Sequence, residues 1–191
     1  MEYVLIIISA VFVNNIVLTR FLGICPFLGV SNKFSNAFGM SGGVLFVMTL
    51  ATVVTYLINQ YVLAPLGLGF LQTVIYILVI AALVQMVEIV LKKVSPALYR
   101  ALGVYLPLIT TNCTILGVAI LVIQNNMNLA ESIVFAIANG LGFSFALVLF
   151  AGLREQMALS DIPEGLKGAP IALITAGLLS MAFMGFAGIV K

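Results

Sequence analysis

The sequence predicts an all-α integral membrane protein with six transmembrane helices, arranged as two inverted three-helix repeats with broken helices around two cysteines. Of the 191 residues, 63% are hydrophobic and only 7% are charged, and the mean hydropathy is +1.28. Soluble domains carry about 25% charged residues, so this composition predicts a chain that resides in a bilayer. The pattern C-x-x-L-G-V occurs at 25–30 and again at 113–118, and it holds the only two cysteines. One cysteine in each copy indicates an internal duplication.

Apolar runs of about 20 residues predict the helical spans, because the hydrocarbon core of a bilayer is roughly 30 Å thick. A β-barrel would instead alternate apolar and polar positions. The region 3–31 is too long for one span and contains Arg20, so we expect a span followed by a broken or re-entrant arm. Because the chain opens with Glu2 and no cleavage site follows its first apolar stretch, we expect this span to be retained. The other five runs are 37–59, 70–91, 101–123, 131–151 and 169–190.

The spacing of the cysteine blocks predicts a single membrane domain, 1–191, built from two copies of one unit. The blocks are offset by 113 − 25 = 88 residues, which is close to half the chain. Each half has three spans, and because three is odd the second half enters the membrane from the opposite side. The repeats are therefore inverted, at about 1–95 and 96–191.

The two cysteines should meet near the middle of the membrane, where equivalent positions of inverted repeats come together. Cys113 falls near the centre of its predicted span. Cys25, in contrast, would lie beyond the far end of a straight helix that began at residue 3. We expect Gly23 and Pro26 to break that helix and so bring Cys25 to mid-depth.

The basic residues predict the orientation. One side of the membrane receives seven of the eight, whereas the other receives only Lys191, along with the N-terminus and the connections 60–69 and 124–130. The positive-inside rule puts the side with seven in the cytoplasm and both termini outside. The net charge of +2 therefore reflects topology and predicts no nucleic-acid partner. The seven residues are Arg20, Lys33, Lys92, Lys93, Arg100, Arg154 and Lys167.

The candidate functional residues are Cys25 and Cys113. Buried cysteines commonly serve only to pack, and a disulfide between these two is a further alternative. A metal is the third, because both cysteines lie beside polar or helix-breaking residues that would be costly in lipid. The chain has no histidine, which excludes sites that need an imidazole ligand. Thiolate-bound zinc and iron–sulfur clusters normally take four ligands, so a metal here would need two more from a second chain.

Other polar residues in the predicted spans have two interpretations. The side-chain oxygens of Asn14, Asn15 and residues 110–112 could line a path for a cation. The same side chains could equally form hydrogen bonds with backbone groups that a helix break leaves unpaired. Glu88 lies one turn before Lys92, a spacing that predicts a modest ion pair at the membrane interface. The sequence alone does not decide between these interpretations.

Three blocks of the sequence resemble the A-type subunits of the bacterial Rnf electron-transport complex. The corresponding subunit of the sodium-translocating NADH:quinone oxidoreductase is similar, but Cys25-Pro26 and the Thr-Thr-Asn-Cys run at 110–113 match the Rnf version more closely. The resemblance covers essentially the whole chain. The blocks are LTRFLGICPFLGVS at 18–31, YRALGVYLPLITTNCTILGV at 99–118 and ALITAGLLSMAFMGF at 172–186.

This resemblance implies a function and a cofactor. Members of the family pair with a paralogous membrane subunit of opposite topology, the E-type subunit of the Rnf complex, and four cysteines hold one [2Fe-2S] cluster within the membrane. Carried over, Cys25 and Cys113 are this chain's two ligands. The resemblance further implies an enzyme subunit, without a complete active site of its own, in a bacterial cytoplasmic (inner) membrane complex with the B-, C-, D- and G-type Rnf subunits. That complex passes electrons between ferredoxin and NAD and transports Na⁺ or H⁺.

Two other functional classes are compatible with the residues. A secondary transporter also has inverted repeats, broken helices and polar residues at mid-membrane, and only the cysteines argue against it. A structural subunit without a cofactor would use the cysteines for packing alone. Iron and acid-labile sulfide in the native assembly would separate electron transfer from both.

Overall fold

The computed structural model describes residues 2–67, 69–94, 99, 106–161 and 163–185, and the secondary structure within these ranges is helical, without a strand. This confirms the predicted all-α class. The basic residues Arg100 and Lys191 lie outside the described residues, as does the start of the predicted 101–123 span.

The first half begins with a helix that breaks before it could cross a membrane. Helix α1 (Glu2–Ile8) continues as a π-helical turn, Ser9–Val13, and ends at Asn14. Ten residues of irregular chain, 14–23, follow, and then the short helix α2 (Ile24–Val30). The predicted break is therefore present, with Cys25 in the first turn of α2.

Two longer helices complete the first half. Helix α3 (Phe34–Ile58) continues through a π-helical turn, Asn59–Leu63, and the segment Ala64–Leu66. Gly67 ends it in a left-handed conformation, with φ of 64°. A 3₁₀ turn, Gly69–Leu71, then leads into α4 (Gln72–Val94).

The second half also opens with a broken helix. Its first part, α5 (Leu106–Thr110), is separated by two residues from α6 (Cys113–Gln124). The long helix α7 (Leu129–Ala158) follows, its start fixed by a capping box between Asn128 and Glu131. A 3₁₀ turn, Glu164–Leu166, precedes α8 (Ala169–Met184).

Four helical segments of the described chain are long and apolar enough to cross a membrane. Val4–Val13 and Ala169–Met184 are apolar but shorter. The predicted runs 37–59, 70–91 and 131–151 thus each fall within one continuous helical segment, whereas 101–123 contains a break. The four segments are Phe34–Leu63, Gly69–Val90, Pro107–Gln124 and Leu129–Ala158.

The core lies where α3 packs along α7. Residues with small side chains make this close packing possible: a Cβ added at Gly140 would lie 3.2 Å from Cγ of Leu45. Large apolar side chains face outward elsewhere, as expected of a surface that contacts lipid. The buried core includes Ala37, Met40, Val44, Met48 and Ala51 from α3 and Ala136, Phe143, Ala146, Leu147 and Phe150 from α7.

Candidate metal centre

The two cysteine segments meet through one hydrogen bond. The backbone N–H of Gly23 donates to Sγ of Cys113, with an N···S distance of 2.9 Å. Cys113 is the first residue of α6, and Cys25 is the second residue of α2, only two positions after Gly23. Because successive Cα atoms are 3.80 Å apart, the Cα atom of Cys25 lies at most about 7.6 Å from that of Gly23. The fold thus brings together the two cysteines that the sequence singled out.

Gly23 is the residue that permits this approach. Its φ is 81°, in the left-handed region that favours glycine. A Cβ at this position would lie 2.1 Å from Oγ1 of Thr114 and 3.1 Å from Oδ1 of Asn112. Any side chain here would therefore require Thr114 or the backbone of Gly23 to shift. The sequence predicted that Gly23 would break the helix, but not that it would contact the second repeat.

Asn15 stabilises the ten-residue break. Its side chain is fully buried, and its Nδ2 donates to the carbonyl oxygens of Val11 and Gly142, at 3.1 and 2.8 Å. Its Oδ1 accepts from the backbone N–H of Val17 at 3.1 Å. Since the Val17 N–H lies in the non-helical break and would otherwise be unpaired away from water, Asn15 acts at the helix break. Of the two interpretations offered by the sequence, the structure favours this one for Asn15.

The second break is short and is built around Asn112. Its Oδ1 accepts from the backbone N–H of Thr114 at 3.0 Å and so caps the start of α6. The hydroxyl of Thr111 donates to the carbonyl oxygen of Pro107 at 3.0 Å. Two side-chain atoms near Cys113, Nδ2 of Asn112 and Oγ1 of Thr114, are buried within the described structure without a hydrogen-bond partner.

Helix α2, which carries Cys25, is also held at its C-terminal end. Nη1 of Arg154 donates to the carbonyl oxygen of Leu28 at 2.7 Å and to Oγ of Ser31 at 2.8 Å. The ring of Phe27 stacks on that of Phe150, with centroids 4.3 Å apart. A cation at a helix C-terminus also interacts favourably with the helix dipole. Sequence reasoning missed this role for Arg154, because the residues that it contacts lie 126 and 123 positions away in the chain.

Both cysteines are free and exposed, whereas their neighbours Pro26, Asn112 and Thr114 are buried. A cavity of about 330 Å³ adjoins Cys113 and is lined mainly by apolar side chains of α4 and α6, including Ile77, Ile80 and Leu116. No group of three or more metal-ligating side chains occurs among the described residues. Two accessible thiols fit half of a four-sulfur site, with the other half supplied by another chain.

Arg20 lies in a different place from the one predicted. It lines a cavity of about 410 Å³ together with Leu5 and Ser9 of the first helix and Asn125 of the 124–130 connection. The sequence analysis had grouped Arg20 with Lys33 on the opposite side. The reason for the difference is the ten-residue break, because residues 14–23 do not continue the first helix and Arg20 lies back beside Leu5. Six basic residues remain to bias the orientation.

Three of those six cluster at one end of the fold. Arg154 bonds to Ser31, two positions before Lys33, and a cavity of about 230 Å³ is lined by both Arg154 and Lys167. Near Glu88, the hydroxyl of Tyr99 donates to Oε1 at 3.4 Å, and Nζ of Lys92 lies 5.7 Å from the centre of the Tyr99 ring. Tyr99 therefore links the two residues for which the spacing predicted a direct ion pair.

Comparison with known proteins identifies the family. A sequence model described as "Rnf-Nqr subunit, membrane protein" matches residues 3–190. The chain belongs to the Rnf-Nqr family of membrane proteins. The resemblance drawn from the cysteine blocks is thereby confirmed.

Several relatives match along the full length. The chain is 58% identical over 188 residues to the A-type subunit of the Na(+)-translocating ferredoxin:NAD(+) oxidoreductase complex of Acetobacterium woodii, covering 98% of each chain. It is 57% identical over 190 residues to the A-type subunit of the ion-translocating oxidoreductase complex of Pseudoalteromonas translucida, covering 100% of this chain and 98% of the relative. The protein of the same description from Shewanella oneidensis is 54% identical over 190 residues, covering 100% and 99%.

Proposed function

We propose that this chain is the A-type subunit of an ion-translocating ferredoxin:NAD oxidoreductase complex, in which Cys25 and Cys113 supply two of the four ligands of a [2Fe-2S] cluster. The observation that carries the proposal is the bond from the Gly23 N–H to Cys113 Sγ, beside two exposed cysteines. The full-length relatives support the assignment of this chain to such a complex, because their names describe subunits of ion-translocating oxidoreductases. The chain is then an enzyme subunit without a complete active site.

The proposed architecture is six spans in two inverted repeats. Each half has a broken helix with a cysteine in the first turn of its second part, then a helix of at least 25 residues, then a third helix. We place the protein in the bacterial cytoplasmic membrane with both termini outside, because Lys33, Arg154 and Lys167 share one end of the fold.

The partner should be a paralogue of opposite topology, corresponding to the E-type subunit of the Rnf complex. Two copies of this chain could supply four thiolates only if they inserted in opposite directions, and the basic asymmetry opposes that. The remaining B-, C-, D- and G-type subunits would bind the nicotinamide and flavin groups, for which this chain has no G-x-G-x-x-G fingerprint.

The position of the two cysteines suits an electron carrier halfway across the membrane. When bound, the cluster supplies a one-electron carrier that divides a gap of about 30 Å into two legs of roughly 15 Å. The residues of this chain fix its position: Gly23 directs an N–H at Cys113, and Arg154 holds the far end of α2.

Replacement of each cysteine tests the ligand assignment. Cys25→Ser and Cys113→Ser should each insert and assemble, because one atom changes, and each should abolish the cluster signal in low-temperature EPR and the ferredoxin:NAD activity. Ser41→Ala, which also changes a single side-chain atom but lies in α3, is the matched control and should keep both. A cluster signal that persists in either cysteine variant contradicts the proposal.

Expression with and without the partner tests the half-site. The chain alone should bind little stable cluster, and co-expression with the paralogue should restore two iron atoms per heterodimer, because a [2Fe-2S] cluster normally takes four cysteines. A homogeneous preparation of the lone chain with full iron would refute the shared site. An iron-free chain that accumulates solute would instead support the secondary transporter, and electron delivery to quinone rather than NAD would support the NADH:quinone oxidoreductase subunit.

Fusions at the C-terminus test the orientation. A phosphatase active only in the periplasm should work when it is fused after Lys191, whereas a fluorescent protein that folds only in the cytoplasm should stay dark. The opposite pair of results would reverse the orientation and with it the inverted placement of the repeats.

A further inference from the structure

The side-chain amide nitrogen of Asn112 has no partner within the described chain. Asn112 is only 3% exposed, and its Oδ1 is fixed by the bond from the Thr114 N–H, so the amide orientation is determined. Its Nδ2 group, which carries two N–H donors, points away from that bond and is left without an acceptor. A buried donor left unpaired costs roughly 1–3 kcal/mol. An acceptor supplied from outside the chain would remove that cost.

The position of Asn112 indicates where this acceptor lies. Asn112 and Cys113 line the same cavity of about 330 Å³ between α4 and α6. The other side chains lining it are apolar, apart from Thr110 and Thr111, and the hydroxyl of Thr111 already donates to Pro107. An acceptor bound at Cys113 would therefore lie beside the residue that carries the unpaired amide.

Thr114 has the second unpaired atom, but its surroundings differ. Its Oγ1 faces Gly23, where an added Cβ would lie only 2.1 Å away, and Thr114 is absent from the cavity that Cys113 lines. Close packing between the repeats accounts for the Thr114 hydroxyl. It does not account for the Asn112 amide.

We infer that Nδ2 of Asn112 donates a hydrogen bond to a sulfur atom of the cluster and stabilises its reduced state. This inference rests on the proposed function. One electron enters on reduction, no covalent bond forms or breaks, and the amide keeps its protons. Because the reduced state is more negative, it gains more than the oxidised state from a nearby N–H donor, and the reduction potential rises. Asn112 is thus a positioning and tuning residue, not a ligand.

Asn112→Ser is the direct test, carried out in the complete complex. Serine caps a helix about as well as asparagine, so α6 should still begin at Cys113, but the amide donor is removed. In a potentiometric EPR titration, the reduced-to-oxidised ratio at fixed potential should fall about tenfold, which is about 59 mV for a one-electron couple. Asn128→Ser makes the same change at the start of α7, away from the cysteines, and should leave the midpoint potential unchanged.

An unchanged midpoint in Asn112→Ser at full iron content would overturn the inference. If that variant loses its cluster, the unsubstituted complex decides the question. Asparagine labelled with ¹⁵N in the side-chain amide should produce a weak ¹⁵N coupling in pulsed EPR of the reduced cluster, and its absence would equally refute the bond. Failure of the proposed function would look different: iron would be missing from the unsubstituted complex, or the signal would survive Cys113→Ser.

Discussion

Each of the two broken segments leads into a helix that carries a cysteine, but different side-chain bonds stabilise the two breaks. The break at 14–23 is ten residues long, and the buried side chain of Asn15 bonds to four backbone groups around it. The break before α6 is two residues long, and Asn112 caps the new helix with one oxygen. The repeat therefore specifies where each cysteine lies, whereas the local sequence determines how its backbone is satisfied.

The cysteines themselves are consequently unequal. Sγ of Cys113 accepts a hydrogen bond from Gly23, and Asn112 lies beside it in the same cavity. Within the described part of the chain, Cys25 has no comparable donor. The two sulfur atoms therefore differ in their hydrogen bonding even though the duplicated pattern makes them look equivalent.

The largest effect should come from Gly23→Ala, which tests the contact between the two breaks. The left-handed φ and the close approach to Thr114 should together destabilise the fold by roughly 2–5 kcal/mol. Thermal unfolding of the purified complex and its iron content are the measurements. Gly42→Ala in α3, where an added Cβ meets nothing within 4 Å, is the control and should be neutral or slightly stabilising. Equal stability in the two variants would show that the breaks do not depend on this contact.

Asn15→Ala should have the next largest effect, because it leaves the longer break unsatisfied. The N–H groups of Val17 and Leu18 lose their shared acceptor in a buried site, at a cost of about 2–4 kcal/mol. Asn14→Ala is the neighbouring control: Asn14 is exposed, and its Nδ2 donates to Oγ of Ser9 at the surface, so its loss should cost little. The midpoint of thermal unfolding compares the two, and similar values would remove Asn15 from its assigned role.

Arg154→Gln should loosen the helix that carries Cys25 without altering Cys113. Loss of the bonds to Leu28 and Ser31 should cost about 1.5–3 kcal/mol, the range for hydrogen bonds to charged groups. Accessibility of Cys25 to a thiol reagent in the chain without its partner should increase more than that of Cys113. Lys167→Gln removes a charge lining the same cavity but no bond to α2, and it should leave both rates unchanged. A uniform increase at both cysteines would indicate general unfolding instead.

The smallest effect should come from Thr114→Val. The hydroxyl of Thr114 is buried and unpaired, so replacing it with a methyl group should raise stability by up to about 1 kcal/mol. Thr52→Val in α3 is the matched change at a buried threonine whose hydroxyl donates to Met48 at 2.8 Å, and it should lower stability by about 0.5–1.5 kcal/mol. The same sign in both variants would mean that the Thr114 hydroxyl has a partner after all.

Much of this architecture could be predicted from the sequence because it depends on the length of apolar runs and on the duplicated cysteine block. Apolar runs locate the long helices, and the duplicated block locates both cysteines and the break near Gly23. The prediction that Arg20 lies on the same side as Lys33 was wrong, because the length of an apolar run does not show how many residues a helix break contains. The bond from Gly23 to Cys113 joins residues 90 positions apart, and no local pattern encodes such a contact. The role of Arg154 likewise depends on which helix lies beside it.

The contact at Gly23 also makes the two halves of the chain non-interchangeable. The repeat offset of 88 places Thr111 at the position equivalent to Gly23, and Pro26 at the position equivalent to Thr114. A chain assembled from two copies of the first half would thus keep both cysteines but present proline where Thr114 now accommodates Gly23. Two copies of the second half would present the Cβ of threonine where none fits. The sequence duplication therefore covers the cysteine blocks and the helices that they begin, and it ends at the residues that join one half to the other.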